Sequence, residues 1–192
     1  MSSAMLIALI IVATMAGVLT ARREEDVPAQ SRGALVRSIA YWLFTVIVAF
    51  ELAAGALWDL LRIEYVRVVL AHLGYPLYLL VILGVWRIPG ALVLLVPRFP
   101  RLKEWAYAGA FFDYTGAAAS HLLVGDHANQ WAAPTIFSAF TLVSWALRPA
   151  SRRSFSSPAV EVRAVRWAAP ILIVAAMLVV ALFTLPKGAP PQ

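Results

Sequence analysis

The chain has 192 residues, of which 62% are hydrophobic and 14% charged, with a formal net charge of +6 and no cysteine. A soluble domain averages about 45–50% apolar and about 25% charged residues, so the composition indicates an integral membrane protein. The lack of cysteine excludes a catalytic thiol, a disulfide, a thiolate-held iron–sulfur cluster and thiolate-ligated haem.

Six apolar runs approach or reach the length of about 20 residues that one membrane crossing needs. The sequence therefore predicts an all-α membrane protein with six transmembrane helices. The fifth run is short and carries four hydroxyl residues, so it requires shielding by neighbouring helices. The predicted spans are residues 4–20, 38–61, 76–96, 105–124, 132–147 and 167–185.

The first run resembles a signal peptide, but its start has no Arg or Lys, whereas a signal peptide has a basic first region. We interpret it as a retained helix. The predicted organisation is an N-terminal helix (1–20), a cytoplasmic linker (21–37), a four-helix core (38–148), a basic loop (149–166), a C-terminal helix (167–185) and a disordered tail (186–192).

The basic residues are distributed unevenly over the connecting segments. Twelve follow spans one, three and five, and three follow spans two, four and six. The positive-inside rule then places the basic loops in the cytoplasm and both termini outside the inner membrane. The positive charge is thus explained by topology and by attraction to anionic membrane lipid, and we expect no nucleic-acid partner.

Between spans two and three, residues 62–74 are too polar to cross a bilayer and too apolar for a plain loop. Ile63, Val66, Val69 and Leu70 recur at helical spacing. This pattern predicts a short helix lying on the outer membrane surface, ended by the Gly-Tyr-Pro sequence that leads into span three.

Three ionisable residues lie deep inside predicted spans: Glu51, Arg87 and Asp113. Each costs roughly 2.5–3.5 kcal/mol at the centre of a membrane helix on the insertion scale. Arg87 and Asp113 fall at similar depth on consecutive antiparallel spans, so we expect an ion pair between them. The pair could serve a functional site, or it could only fix the register of the two helices.

Pro89 lies two residues after Arg87. It removes a backbone donor and predicts a kink of span three beside the buried charge.

Span four carries Asp113 and His121 on one face, with hydroxyls at Tyr114 and Ser120. His121 lies near the outer end of the span, where an imidazole suits proton exchange. The alternative is that His121 is simply hydrogen-bonded at the helix end.

Span two places Glu51, Gly55 and Asp59 on one face. If that face meets span four, the two helices form a polar track from Asp113 to the outer surface, able to bind a polar head group or relay protons. A carboxyl held there without a cation would have a raised pKa. Glu51 and Asp59 could equally pair with Arg87 and Arg62.

Metal and cofactor motifs are absent from the sequence. The chain has three histidines, and although His72 and His121 both fall near the outer face, so small a number argues against bis-histidine haem ligation. There is no HExxH and no glycine-rich phosphate loop, so we expect no metal site and no evident cofactor.

Residues 41–149 resemble the DoxX-like family of small bacterial membrane proteins. The resemblance rests on AHLGYPLYLL (71–80), LVPRFPRLKEWAYAGAFFD (95–113) and TGAAASHLLVGD (115–126). It implies a four-helix transmembrane core, formed here by spans two to five, and a basic residue at the position of Arg87. The first and last spans are additions to that core, and the resemblance implies no catalytic residues.

Some members of the family resemble the membrane part of thiosulfate:quinone oxidoreductase, others partners of redox-stress enzymes, and distant ones assembly chaperones. The sequence therefore favours an accessory membrane subunit of a redox system that binds a quinone at Glu51, Arg87, Asp113 and His121, with electrons supplied by a partner protein. The alternatives are a non-enzymatic assembly or scaffold protein for other membrane proteins and a small transporter, and whether the chain is an enzyme stays open.

Overall fold

The computed structural model of the chain describes residues 32–97, 99–149 and 165–186. Within these residues every regular element is an α-helix, as the sequence predicts. The helices are α1 (Arg32–Leu61), α2 (Glu64–His72), α3 (Tyr78–Leu95), α4 (Pro100–Leu123), α5 (Ala128–Leu147) and α6 (Val165–Phe183). The predicted first span and most of the linker, basic loop and tail lie outside the described residues.

Spans two to six each coincide with a helix, but their boundaries differ. α1 begins at Arg32, so the last six residues of the predicted linker belong to a helix. Two helices are long and apolar enough to cross a membrane by length and composition, over residues Gly33–Leu61 and Tyr78–Leu95. α4 is not one of these two, and it carries polar residues along its length, including Asp113 and His121.

Four helices form a closed ring. α1 packs against α3 and α5, and α4 packs against the same two helices from the other side. α6 lies outside the ring against α1 and α3. α1 is consequently the most enclosed helix, with Val48, Ala49, Ala53 and Ala56 fully buried.

Small residues bring α1 and α3 close together. A Cβ at Gly84 would lie 2.7 Å from Cγ of Leu60 and 3.1 Å from the carbonyl oxygen of Ala56. Close backbone approach through small residues is the usual basis of helix packing in membranes. It brings the middle of α3, including Arg87, directly against α1.

α2 is the predicted short helix between the first two ring helices. It buries Leu70 and leaves its charged face exposed. Gly74, with φ of +77°, supplies the left-handed backbone that ends the segment, a conformation that costs glycine little.

The end of the ring at which α1 and α4 begin and α3 ends is referred to below as the basic end. There the fully buried Lys103 donates from Nζ to the carbonyl oxygens of Val93 at 2.5 Å and Leu94 at 2.9 Å. These carbonyls belong to the last turn of α3, where the carbonyl groups of a helix generally take partners from outside the helix. Lys103 thus caps α3 from α4.

α3 continues as a single helix through Pro89. The residue is exposed on the surface of the ring. The predicted kink at this position stays a prediction.

Candidate functional site

Arg87 on α3 lies against Asp113 on α4. Its Nε donates to Oδ2 of Asp113 at 2.8 Å and its Nη2 donates to Oδ1 at 3.1 Å. Two parallel hydrogen bonds between a guanidinium and a carboxylate are the strongest form of this interaction and fix both side chains. The guanidinium and the carboxylate lie at the same depth because α3 and α4 are neighbouring antiparallel helices and each residue is near the middle of its helix.

The same guanidinium reaches α1. Nη1 of Arg87 donates to Oδ2 of Asp59 at 2.8 Å. Asp59 therefore has Arg87 as its partner, while Arg62 lies exposed on the surface. One arginine thereby joins three of the four ring helices.

Gly55 is the reason that Arg87 can lie so close to α1. A Cβ at this position would come within 2.6 Å of Nη1 and 3.5 Å of Cζ of Arg87. Glu51 and Asp59 lie four residues before and after Gly55, so they share its face of the helix. The guanidinium is thus seated over a glycine with a carboxylate one turn away on either side.

Glu51 is held from α4 by Tyr114, whose hydroxyl donates to Oε2 of Glu51. The Tyr114 ring is buried and packs against Phe137 of α5, with 5.6 Å between ring centroids. Glu51 thus accepts a hydrogen bond from a neutral group, whereas Asp59 and Asp113 accept theirs from the cation.

These five side chains, Glu51, Asp59, Arg87, Asp113 and Tyr114, are called the arginine cluster below. The cluster contains three carboxyl groups and one guanidinium. It is enclosed but not sealed, since the side chains of Arg87 and Asp113 are 17% and 15% exposed and that of Asp59 is 5% exposed.

The structure places Ser120 and His121, the other two predicted site residues, in a separate group at the end opposite to the basic end. Nδ1 of His121 lies 2.6 Å from Oδ2 of Asp126, and Ser120 bonds the Tyr75 hydroxyl at 2.9 Å. Eight residues of α4 separate His121 from Asp113, a rise of about 12 Å. The predicted track is therefore divided into two polar groups.

Asp126 is the centre of this second group. His72 of α2 bonds Oδ1 of Asp126 through Nε2 at 2.8 Å, and in the orientation that satisfies both groups the Gln130 amide nitrogen lies 2.7 Å from Oδ2. The hydrogen bond from His121 is the main cause that lowers the pKa of Asp126, and His72 adds to it. Asp126 thus connects α2, α4 and α5, and the two histidines face a carboxylate.

A third polar group, at the basic end, was not predicted as a site. Arg148, 3% exposed, donates from Nη2 to Oε1 of Glu104 at 2.6 Å. Its guanidinium lies 5.0 Å from the centre of the Tyr107 ring, close enough for a cation–π contact. The twelve residues assigned to cytoplasmic loops by charge thus include two, Lys103 and Arg148, that are buried.

Hydroxyl groups link the remaining helices in the ring. Ser144 of α5 bonds Tyr107 at 2.8 Å and Thr45 of α1 at 2.7 Å. Ser138, Thr141 and Ser144 are all buried, and their spacing of three residues places them on one face. The spacing of these hydroxyl residues was the sequence signal for this buried face. Burial of the face against neighbouring helices provides the shielding that the fifth span requires.

Among the described residues no group of three or more His, Cys, Asp or Glu side chains has the geometry to hold a metal ion. His72 and His121 meet through Asp126 rather than across an open site.

A family model described as the DoxX-like family matches residues 43–144, a little more than half of the chain. The matched segment begins about three turns into α1 and ends near the end of α5, so it contains most of the ring and all of the arginine cluster. No curated protein and no solved structure matches the chain.

Proposed function

Since the chain belongs to the DoxX-like family and is a membrane protein, we propose that it is an accessory membrane subunit of a redox system. In this proposal the arginine cluster binds the head group of a quinone-like molecule. The supporting observation is the partial exposure of Arg87 and Asp113, which leaves strong hydrogen-bonding groups partly accessible.

A quinone head group has two carbonyl oxygens that accept hydrogen bonds, and a guanidinium has five N–H donors. Three of the donors of Arg87 are engaged by Asp59 and Asp113. The remaining N–H groups of Arg87 are the proposed donors to the quinone. The electrons come from a partner redox protein, because quinone reduction takes two electrons and this chain has no cysteine-based cofactor site.

The proposal places six helices across the inner membrane with both termini outside. Its support is the charge asymmetry of the connecting segments and the position of Lys103 and Arg148 at one end of the ring. Basic residues are retained on the cytoplasmic side of membrane proteins, so the basic end faces the cytoplasm.

A scaffold or assembly role is the second candidate, favoured by a different observation. Arg87 bonds carboxylates of both α1 and α4, and such a cluster could serve only to fix helix register. The exposed apolar faces of α4 and α6, which include Trp105, Phe112 and Phe183, would then be the surfaces for partner membrane proteins.

The two candidates are separated by small molecules extracted from protein purified in mild detergent and identified by mass spectrometry. The redox proposal expects near-stoichiometric quinone in the wild type and its loss in Arg87→Lys, which keeps the charge but not the bidentate geometry. Arg67→Lys, an exposed site on α2, is the matched control and should retain the quinone. Quinone that is absent from the wild type, or unaffected by Arg87→Lys, would favour the scaffold role.

A further inference from the structure

The arginine cluster has more negative than positive groups. α1 contributes Glu51 and Asp59, α4 contributes Asp113, and the balancing cation recorded by the hydrogen bonds and ion pairs is Arg87. If all were ionised, the group would carry two uncompensated negative charges. Charges inside a membrane protein are costly unless they are paired, so this excess favours protonation of at least one carboxyl group, which reduces it to one negative charge.

The hydrogen bonds indicate which carboxyl group is protonated. Asp113 accepts two bonds from Arg87 and Asp59 accepts one. The described contacts of Glu51 include no hydrogen bond from Arg87, and its hydrogen-bond donor is the neutral Tyr114 hydroxyl. Glu51 is therefore the one carboxyl group of the three that receives no recorded hydrogen bond from the cation.

We propose that the arginine cluster is a proton-binding site and that Glu51 carries the exchangeable proton. Tyr114 holds the carboxyl in place through its hydrogen bond, and the absence of a side chain at Gly55 leaves room for the guanidinium of Arg87 beside Glu51. The groups that face Glu51 are Asp59 from its own helix, Arg87 from α3, and Asp113 and Tyr114 from α4. α5 contributes the uncharged ring of Phe137 behind Tyr114.

The use of this proton rests on the proposed function. Reduction of a quinone to a quinol takes two electrons, supplied by the partner redox protein, and two protons. Glu51 supplies one proton: its O–H bond breaks, a quinol O–H bond forms, and the carboxylate is reprotonated from water. The second proton comes from water directly.

Infrared spectroscopy of the full chain, depleted of quinone and compared in H₂O and D₂O at neutral pH, tests the proposal. The wild type should show the C=O stretch of a protonated carboxylic acid, shifted by deuteration. The band should be lost in Glu51→Gln and retained in Glu64→Gln, an exposed glutamate on α2. Tyr114→Phe should keep the band and move it to higher frequency, because the carbonyl loses a hydrogen bond, and this variant serves if Glu51→Gln does not fold.

A wild type without the band, or with a band that Glu51→Gln leaves in place, overturns the proposal. Absence of the band together with a sodium-dependent increase in thermal stability also overturns it, in favour of a bound metal cation. Because the protein is depleted of quinone, the outcome is independent of quinone binding. A band in protein that never co-purifies with quinone would keep the proton site and reject the redox role.

Discussion

Arg87 and Gly55 are in direct contact across the α1–α3 interface, with the guanidinium occupying the space that a side chain on residue 55 would fill. The contact sets the distance between the cation of α3 and the two carboxylates of α1. Glycine at this position is therefore part of the charged site.

Gly55→Ala should destabilise the protein by about 1–3 kcal/mol, the usual range for an added group in a packed interior. The new Cβ, 2.6 Å from Nη1, would displace the guanidinium and weaken its bond to Asp59. Thermal unfolding in detergent measures the effect. Gly116→Ala is the control, because nothing lies within 4 Å of a Cβ there, and an equal loss in both variants would contradict the contact.

Arg87→Met should cost about 3–5 kcal/mol, since removal of one partner leaves buried carboxylates uncompensated. Adding Asp113→Asn to Arg87→Met should restore part of the loss, because the neutral amide no longer requires the cation. A double-mutant cycle on unfolding in detergent gives the coupling energy between the two residues. A coupling energy near zero would show that the two hydrogen bonds recorded between them contribute nothing to stability.

The hydrogen bonds of Asp126 to His72 and His121 predict that the protein loses stability in acid. The pKa of Asp126 is lowered in the folded protein by His121 and His72. Its contribution to the free energy of unfolding is therefore fully present at a pH above the ordinary aspartate pKa, and it is lost as the pH falls through the lower pKa of the folded protein. Thermal unfolding of the wild type from about pH 6 to about pH 2 should show this loss, and Asp126→Asn should reduce the slope. Glu64→Gln should leave the slope unchanged, and a slope that is identical in all three proteins would refute the role of Asp126.

Lys103→Met should destabilise the protein by about 1–3 kcal/mol, the cost of leaving buried hydrogen-bonding groups unsatisfied. The affected groups are the carbonyls of Val93 and Leu94, which Lys103 caps. Arg101→Gln, at an exposed neighbouring position, should change stability by less than about 0.5 kcal/mol. Similar values for both variants, measured by unfolding in detergent, would exclude the cap.

The sequence was sufficient for those parts of the site that depend on depth within a helix. Residue counts from the ends of the apolar runs place Arg87 and Asp113 at one level, and the structure joins them. Spacing along α1 likewise places Glu51, Gly55 and Asp59 on one face. Helical periodicity carries this information without knowledge of the partner helix.

The parts that depend on three elements meeting at one point were not accessible to sequence reasoning. Asp126 reads as a loop residue, and only the fold brings His72 of α2 and His121 of α4 to it. Lys103 and Arg148 follow apolar runs and so resemble ordinary loop cations, although both are buried. Charge near a helix end does not reveal whether the side chain points into water or back over its neighbour's last turn.

The bond between Asp59 and Arg87 joins residues 28 positions apart, and this separation has a consequence for biosynthesis. Glu51 and Asp59 are added to the growing chain before Arg87, so the carboxyl groups of α1 precede their cation in synthesis. Insertion of α1 alone would bring these carboxyl groups into the membrane without their partner, which is costly. We therefore expect α1 and α3 to enter the membrane together as a helical pair.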